Sequence, residues 1–206
     1  MQILRAKRRS FYANTYILSK DGVHAVVIDP AHAGLVEELK GYGLVCEYAL
    51  LTHCHFDHAD GVVALQKAGA KVLCSEEEHA LIGTQANLYT LFGASYTPFT
   101  IDATFRDGDE LSLCGIQLKA LVTPGHTAGS TCYQLEADGK RVLFTGDTLF
   151  QGTVGRTDFP SGDSKTLMRS LKRLRDLEGD FILYPGHEDD TSLQAERENN
   201  PFMRNV

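Results

Sequence analysis

The sequence predicts an α/β fold in which two β-sheets pack face to face and helices cover their outer sides. Two observations carry this: strand and helix patterns run through the chain twice in similar order, and no linker rich in Pro or Ser divides the two runs. Each sheet has an apolar face to bury, and two strand-rich halves can bury theirs against each other. The seam between the halves is expected near residues 105–115. All 206 residues are expected to form one domain, since that length is ample for one core and short for two.

Asn14-Thr15-Tyr16-Ile17-Leu18 and His24-Ala25-Val26-Val27-Ile28 flank the turn Lys20-Asp21-Gly22, which predicts an antiparallel hairpin ending at Asp29-Pro30. Leu35, Val36 and Leu39 have helical spacing over 33–42, and Gly41 and Gly43 close that helix. Tyr48-Ala49-Leu50-Leu51 reads as a short buried strand. Val62, Val63, Leu65 and Ala68 predict a helix, and Lys71-Val72-Leu73-Cys74 a strand. Ser75 with Glu78 three residues on has the form of a capping box, opening another helix. Residues 83–100 read as an irregular lid or a loose helix. Strands are expected near 110–114, 116–122, 131–136 and 141–145. A helix at 164–177, with Leu167, Leu171, Leu174 and Leu177 in one stripe, precedes a strand at 181–184 and a helix near 191–199.

Hydrophobic residues at 43% and charged residues at 23% are ordinary for a globular protein. The net charge of −7 weighs against nucleic acid as a partner. Of two short basic runs, Lys7-Arg8-Arg9 and Lys172, Arg173 with Arg175, the second lies on a helical pattern and reads as a solvated face. No apolar stretch approaches the roughly 18 residues of a membrane span, and no apolar region of a secretory signal follows the basic start. The five cysteines are odd in number and lack CxxC spacing, so disulfides and a cysteine zinc knuckle are not expected. A reducing cytoplasm is the expected location.

The segment His53-Cys54-His55-Phe56-Asp57-His58 concentrates four metal-ligand side chains in six residues. In an irregular loop after a strand, His53 and His55 project to one side as alternate residues do, while Asp57 and His58 turn towards a second position. Imidazole and carboxylate are the donors expected for zinc, and also for iron or manganese. Leaving several imidazoles unpaired in a core would be costly, so a cluster points to metal where a lone histidine would not. His126 in Thr123-Pro124-Gly125-His126-Thr127, Asp147 in Phe144-Thr145-Gly146-Asp147-Thr148 and His187 in Leu183-Tyr184-Pro185-Gly186-His187 each follow a strand. With the first cluster they supply seven ligands, enough for two metals. Cys54 reads as a spacer, and Tyr133 as core in preference to pocket.

Together these motifs resemble the metallo-β-lactamase superfamily, and within it the short, single-domain glyoxalase II-like proteins. Gly155-Arg156-Thr157-Asp158 and the ending Glu196-Arg197-Glu198-Asn199-Asn200-Pro201-Phe202 add to the resemblance, which runs from about residue 12 to the end. It implies a four-layer αβ/βα sandwich. It assigns His53, His55 and His126 to one divalent metal, Asp57, His58 and His187 to a second, and Asp147 to both. Two neighbouring cations lower the pKa of a shared water to roughly 7 or below. The resulting hydroxide, oriented by Asp57 as catalytic residue, is expected to attack a carbonyl.

The resemblance further implies a small-molecule thioester substrate, a hydroxyacyl-glutathione such as S-lactoylglutathione. Arg156 is the substrate-binding candidate, because a guanidinium grips a carboxylate in a bidentate way; pairing with Asp158 or Asp163 is the competing structural role. Longer glyoxalase II enzymes carry a C-terminal helical domain for glutathione, and the sequence ends before it. Two other reactions fit the resemblance: an iron-dependent persulfide dioxygenase using His53, His126 and Asp147, and a lactonase with the same hydroxide.

Overall fold

Ile17 and Leu18 are adjacent in one strand and both are fully buried, which period-2 geometry allows only where both faces of a sheet are covered. The computed structural model shows what covers them. It describes residues 1–7 and 11–206, so Arg8 and Arg9 of the N-terminal basic run lie outside the described residues.

The first half of the chain runs β1 (Gln2–Arg5), β2 (Tyr16–Ser19), β3 (His24–Ile28), α1 (Leu35–Gly41), β4 (Val45–Leu50), α2 (Phe56–Ala59), α3 (Val62–Lys67), β5 (Lys71–Ser75), α4 (Glu76–His79) and β6 (Ala103–Phe105). Its strands form one six-stranded sheet in sequence order. β1, β2 and β3 pair antiparallel, and β3, β4, β5 and β6 pair parallel.

The second half runs β7 (Glu110–Leu113), β8 (Ile116–Val122), β9 (Thr131–Ala137), β10 (Lys140–Gly146), β11 (Leu149–Phe150), β12 (Thr153–Val154), α5 (Ser164–Arg175), β13 (Ile182–Pro185), β14 (Thr191–Ser192), α6 (Leu193–Asn199) and α7 (Pro201–Arg204). Six of these strands form a second sheet in the order β14-β13-β10-β9-β8-β7, and β11 with β12 makes a separate small hairpin. The passage from one sheet to the other falls between Phe105 and Glu110, inside the expected seam.

Alternate residues of the strands separate the layers. Leu18, Val26, Ile28 and Leu50 of the first sheet meet Leu118, Ala120, Tyr133 and Phe144 of the second in a sheet-on-sheet core. The intervening residues Ile17, Val27, Ala49 and Val72 face outward against Leu35 and Leu39 of α1 and Val62 and Leu65 of α3. Leu121, Cys132, Leu143 and Leu183 likewise face Leu167, Leu171 and Leu174 of α5. The four layers are therefore helix, sheet, sheet and helix, as the sequence predicts.

Several local expectations need correction. The helix expected at 164–177 is capped by the Asp163 carboxylate, which accepts from the Thr166 N–H, and ends at Arg175, so Leu177 packs from beyond it. The helix expected near 191–199 starts at Leu193, after the Thr191–Ser192 strand, and Asn200 ends it and caps the further helix α7. Segment 83–100 is not a loose helix; it is irregular apart from a 3₁₀ turn at Gln85–Asn87. β6, β11 and β12 are too short to leave a period in the sequence. No helix among the described residues is long and apolar enough to cross a membrane.

Candidate metal centre

The candidate residues lie where strands end at one rim of the sandwich. β4 runs into Thr52, His53 and His55; β8 into the loop carrying His126; β10 into Asp147; β13 into His187. β10 and β13 pair in parallel with Gly146 opposite Pro185, so Asp147 and His187 leave the sheet side by side. The His187 loop is held from the first sheet as well: the Asn14 N–H donates to the Gly186 carbonyl, and the Tyr16 hydroxyl to the Pro185 carbonyl at 2.8 Å. Within the histidine segment, the expected irregular loop covers only its first residues. His55 is extended and opens α2, which carries Asp57 and His58 on a single helical turn.

All seven predicted metal-site residues come together. His53 Nε2 and His126 Nε2 each lie 3.0 Å from His55 Nδ1. The far nitrogens of two of these rings are spoken for. His53 Nδ1–H donates to the Thr52 hydroxyl at 3.0 Å, and His126 Nδ1–H donates to the Arg156 carbonyl at 2.7 Å. Both Nε2 atoms are thereby left as bare lone pairs aimed at the third ring. Asp57, His58 and His187 form a second group, with His187 Nε2 3.1 Å from Asp57 Oδ2.

Asp147 stands between the groups. Its Oδ1 lies 3.3 Å from His58 Nε2, and its Oδ2 lies 3.5 Å from His126 Nε2 and 3.8 Å from His187 Nε2. Burial opposes its ionisation, but the imidazoles of His58 and His187 outweigh burial and hold the carboxyl well below its usual range. The approach is tight enough to dictate two glycines. Gly146 has φ +47°, where a side chain would also run into Thr52, and a Cβ on Gly186 would meet Asp147 Oδ1 and the His58 ring.

This donor set fits divalent cations. His58 Nδ1–H donates to Asp29 Oδ2 at 2.9 Å, leaving Nε2 as a lone pair. His58 Nε2 and Asp147 Oδ1 are both buried without a hydrogen-bond partner, although they face each other. Two buried lone pairs in that position call for a positive charge between them. Burial alone would lower the His58 pKa, yet Asp147, Asp29 and Asp57 push it well above the ordinary value, so in the metal-free protein a proton on Nε2 takes the place between these two atoms that a cation would fill.

Burial, reinforced by His126, drops the His55 pKa to about 3. An unfolded chain takes up this proton near 6.5, whereas the folded chain refuses it until about 3. The neutral ring's contribution to stability is therefore complete above pH 6.5 and is lost as pH falls towards 3. In the metal-free protein, the urea midpoint is expected to fall more steeply across this window for wild type than for His55→Gln. Parallel slopes in the two proteins would contradict that.

Two supporting carboxylates are absent from the sequence reading. Asp29, at the end of β3 with φ 51°, accepts from the Thr52 N–H and hydroxyl, both at 2.7 Å, as well as from His58. It thus orients rings of both groups. Its signal was the one used for Asp147: a polar residue just past a strand. Glu78 does more than the capping box suggested. The Ser75 hydroxyl does accept from the Glu78 N–H, but the Glu78 side chain turns inward. Its carboxylate accepts from the Cys54 N–H at 2.7 Å, the Thr127 hydroxyl at 2.6 Å and the Gly129 N–H at 3.1 Å. It therefore clamps the His53–His55 segment to the His126 loop. Cys54 belongs to none of the three potential metal-binding groups found among the described residues, consistent with a spacer.

Arg156 takes the structural pairing weighed for it. It forms a bidentate pair with Asp158, two bonds of 2.6 Å, and Asp163 instead caps α5. Its guanidinium also stacks on Phe159, 3.8 Å from the ring centre, at the edge of a cavity of about 890 Å³. The cavity includes His55, Asp57, His126, Asp147 and His187 in its floor. Tyr133 does not reach it; the ring is fully buried and its hydroxyl donates to the Leu51 carbonyl, steadying the approach to His53.

Comparison with known proteins gives concordant matches. Residues 9–187 match the family model of the Metallo-beta-lactamase superfamily. Hydroxyacylglutathione hydrolase GloC of Haemophilus influenzae is 34% identical over 203 residues, spanning 94% of each chain. The crystal structure of BLEG-1 B3 metallo-β-lactamase superposes with a TM-score of 0.89 at 30% identity, over 98% of this chain and 99% of that one. A protein crystallised in a di-iron-bound form superposes with a TM-score of 0.83 at 31% identity, over 97% and 99% of the two chains.

Proposed function

The chain belongs to the metallo-β-lactamase superfamily, and from that premise we propose that it is a thioesterase that cleaves hydroxyacyl-glutathione or a similar thioester. The observation that carries the reading is Asp147, whose carboxylate lies between the two groups, Oδ1 facing His58 and Oδ2 facing both His126 and His187. His53, His55 and His126 would hold one divalent cation, Asp57, His58 and His187 the other, with Asp147 shared. When bound, such a pair supplies a hydroxide at neutral pH and a Lewis acid for the carbonyl oxygen. Zinc is the proposed metal, and the di-iron-bound relative makes iron the first competitor.

The chain's own groups supply the rest. The Asp57 carboxylate, which burial would protonate but His58 and His187 keep ionised, would accept a hydrogen bond from the attacking water and aim it. Thr52, Asp29 and the Arg156 carbonyl keep ring lone pairs turned inward, so no reorientation is needed during turnover. The Arg156 guanidinium would exchange Asp158 for a substrate carboxylate at the cavity edge. A reducing compartment such as the cytoplasm suits the five free thiols.

The test is an assay of the purified holoprotein on S-lactoylglutathione beside an oxygen electrode. Thioester cleavage without oxygen uptake is expected. One iron per chain with oxygen consumed on glutathione persulfide would replace this reading with the dioxygenase.

A further inference from the structure

The wall of the cavity is more apolar than a hydroxyacyl-glutathione with a small acyl group requires. Phe11, Phe56, Phe92 and Phe159 form an unbroken arc, with ring centres 5.9, 5.2 and 5.9 Å apart in that order. The arc reaches the metal-site residues directly, since the Phe159 ring stands edge-on to His55 at 5.9 Å. Its rings are drawn from four distant parts of the sequence, and Phe92 comes from the irregular segment 83–100. Phe11 and Phe92 are 60% and 55% exposed, a costly arrangement for two aromatics unless something covers them.

Charge points the same way. Among the described residues lining the cavity, Arg156 is the one Lys or Arg, and Asp158 already engages it. Glu188 adds negative charge on the rim. Among the described lining residues, the carboxylates of a peptide-like thiol carrier have Arg156 as their one guanidinium or ammonium partner. The apolar part of a thioester of a polar thiol is its acyl group, and that group adjoins the carbonyl that must sit over the histidines.

We propose that the arc is an acyl-binding site, and that the substrate is a thioester whose acyl group is aromatic. The proposal rests on the thioesterase reading and adds the substrate class to it. Edge-to-face and offset contacts with successive rings would hold a phenyl group against Phe92 and Phe159, whereas a methyl group reaches neither.

The test compares S-mandeloylglutathione with S-lactoylglutathione, which share the thiol and the α-hydroxyl and differ by phenyl in place of methyl. The expected kcat/KM ratio is about tenfold or more in favour of mandeloyl, equivalent to roughly 1.4 kcal/mol. Phe92→Ala, at an exposed position, is expected to bring that ratio towards one. An equal or inverted ratio in wild type, or a preference that survives Phe92→Ala, overturns the proposal. Calorimetric titration of the holoprotein with mandelate and lactate provides a second readout. If neither thioester is cleaved, the thioesterase reading falls, while tighter mandelate binding lost in Phe92→Ala still supports the aromatic site, and equal binding overturns it.

Discussion

Asp147→Ala is expected to lower thioester turnover about a thousandfold, roughly 4 kcal/mol of transition-state stabilisation, and to reduce bound metal from two ions per chain to one or none. The size follows from position. Asp147 meets both groups, through Oδ2 with His126 of the first and through Oδ1 and Oδ2 with His58 and His187 of the second. Removing it takes away a carboxylate kept ionised by its imidazole neighbours and leaves those rings facing one another without a counter-charge. Asp147→Asn separates the two contributions, because it keeps the shape and one acceptor but not the charge. It is expected to retain more metal than the Ala variant and to remain strongly impaired. Metal analysis of both variants beside steady-state kinetics checks this; full activity with two ions bound would remove Asp147 from the centre.

The second large effect is expected from a residue outside the seven. Glu78→Ala strands two buried donors, the Cys54 N–H and the Gly129 N–H, and takes one partner from the Thr127 hydroxyl, which keeps Ser130. At about 1 kcal/mol or more for each unsatisfied donor and for the lost Thr127 bond, the loss is roughly 3 kcal/mol, partly offset because burial already raises the Glu78 pKa and makes its charge expensive. For a chain of this size that corresponds to a melting temperature lower by roughly 6–12 °C. Because the clamp joins the His53–His55 segment to the His126 loop, metal affinity is also expected to fall, by about 10- to 100-fold. Glu78→Gln should recover only part of either loss, since its amide can accept on one side and must turn an N–H towards a donor on the other. Thermal melts and competition with a chromogenic chelator check both. An unchanged metal affinity in Glu78→Ala would reduce the residue to a purely structural one.

The parts of the centre legible in the sequence are those whose relation is local. His53, His55, Asp57 and His58 lie within six residues, so spacing alone implies that they share a site. His126, Asp147 and His187 were legible because each follows an apolar strand and a Gly. The layers were legible for a similar reason: the short apolar runs of β2, β3 and β10 and the leucine stripe of α5 are local patterns. Asp29 and Glu78 were not, because their partners are 23 to 51 residues away and nothing local distinguishes them from a turn residue and a cap. The arc of Phe11, Phe56, Phe92 and Phe159 is hidden for the same reason, and segment 83–100 has no period because it is a wall built from irregular chain. Arg156 shows a further limit: its side chain could be anticipated, but its backbone carbonyl as acceptor for His126 could not.

The most direct test of a shared two-metal centre is to strip the protein with a chelator and add back metal while thioester cleavage is measured. Turnover rising to a plateau at two equivalents of metal per chain is the predicted result. A plateau at one equivalent, or no turnover at any loading, would contradict it.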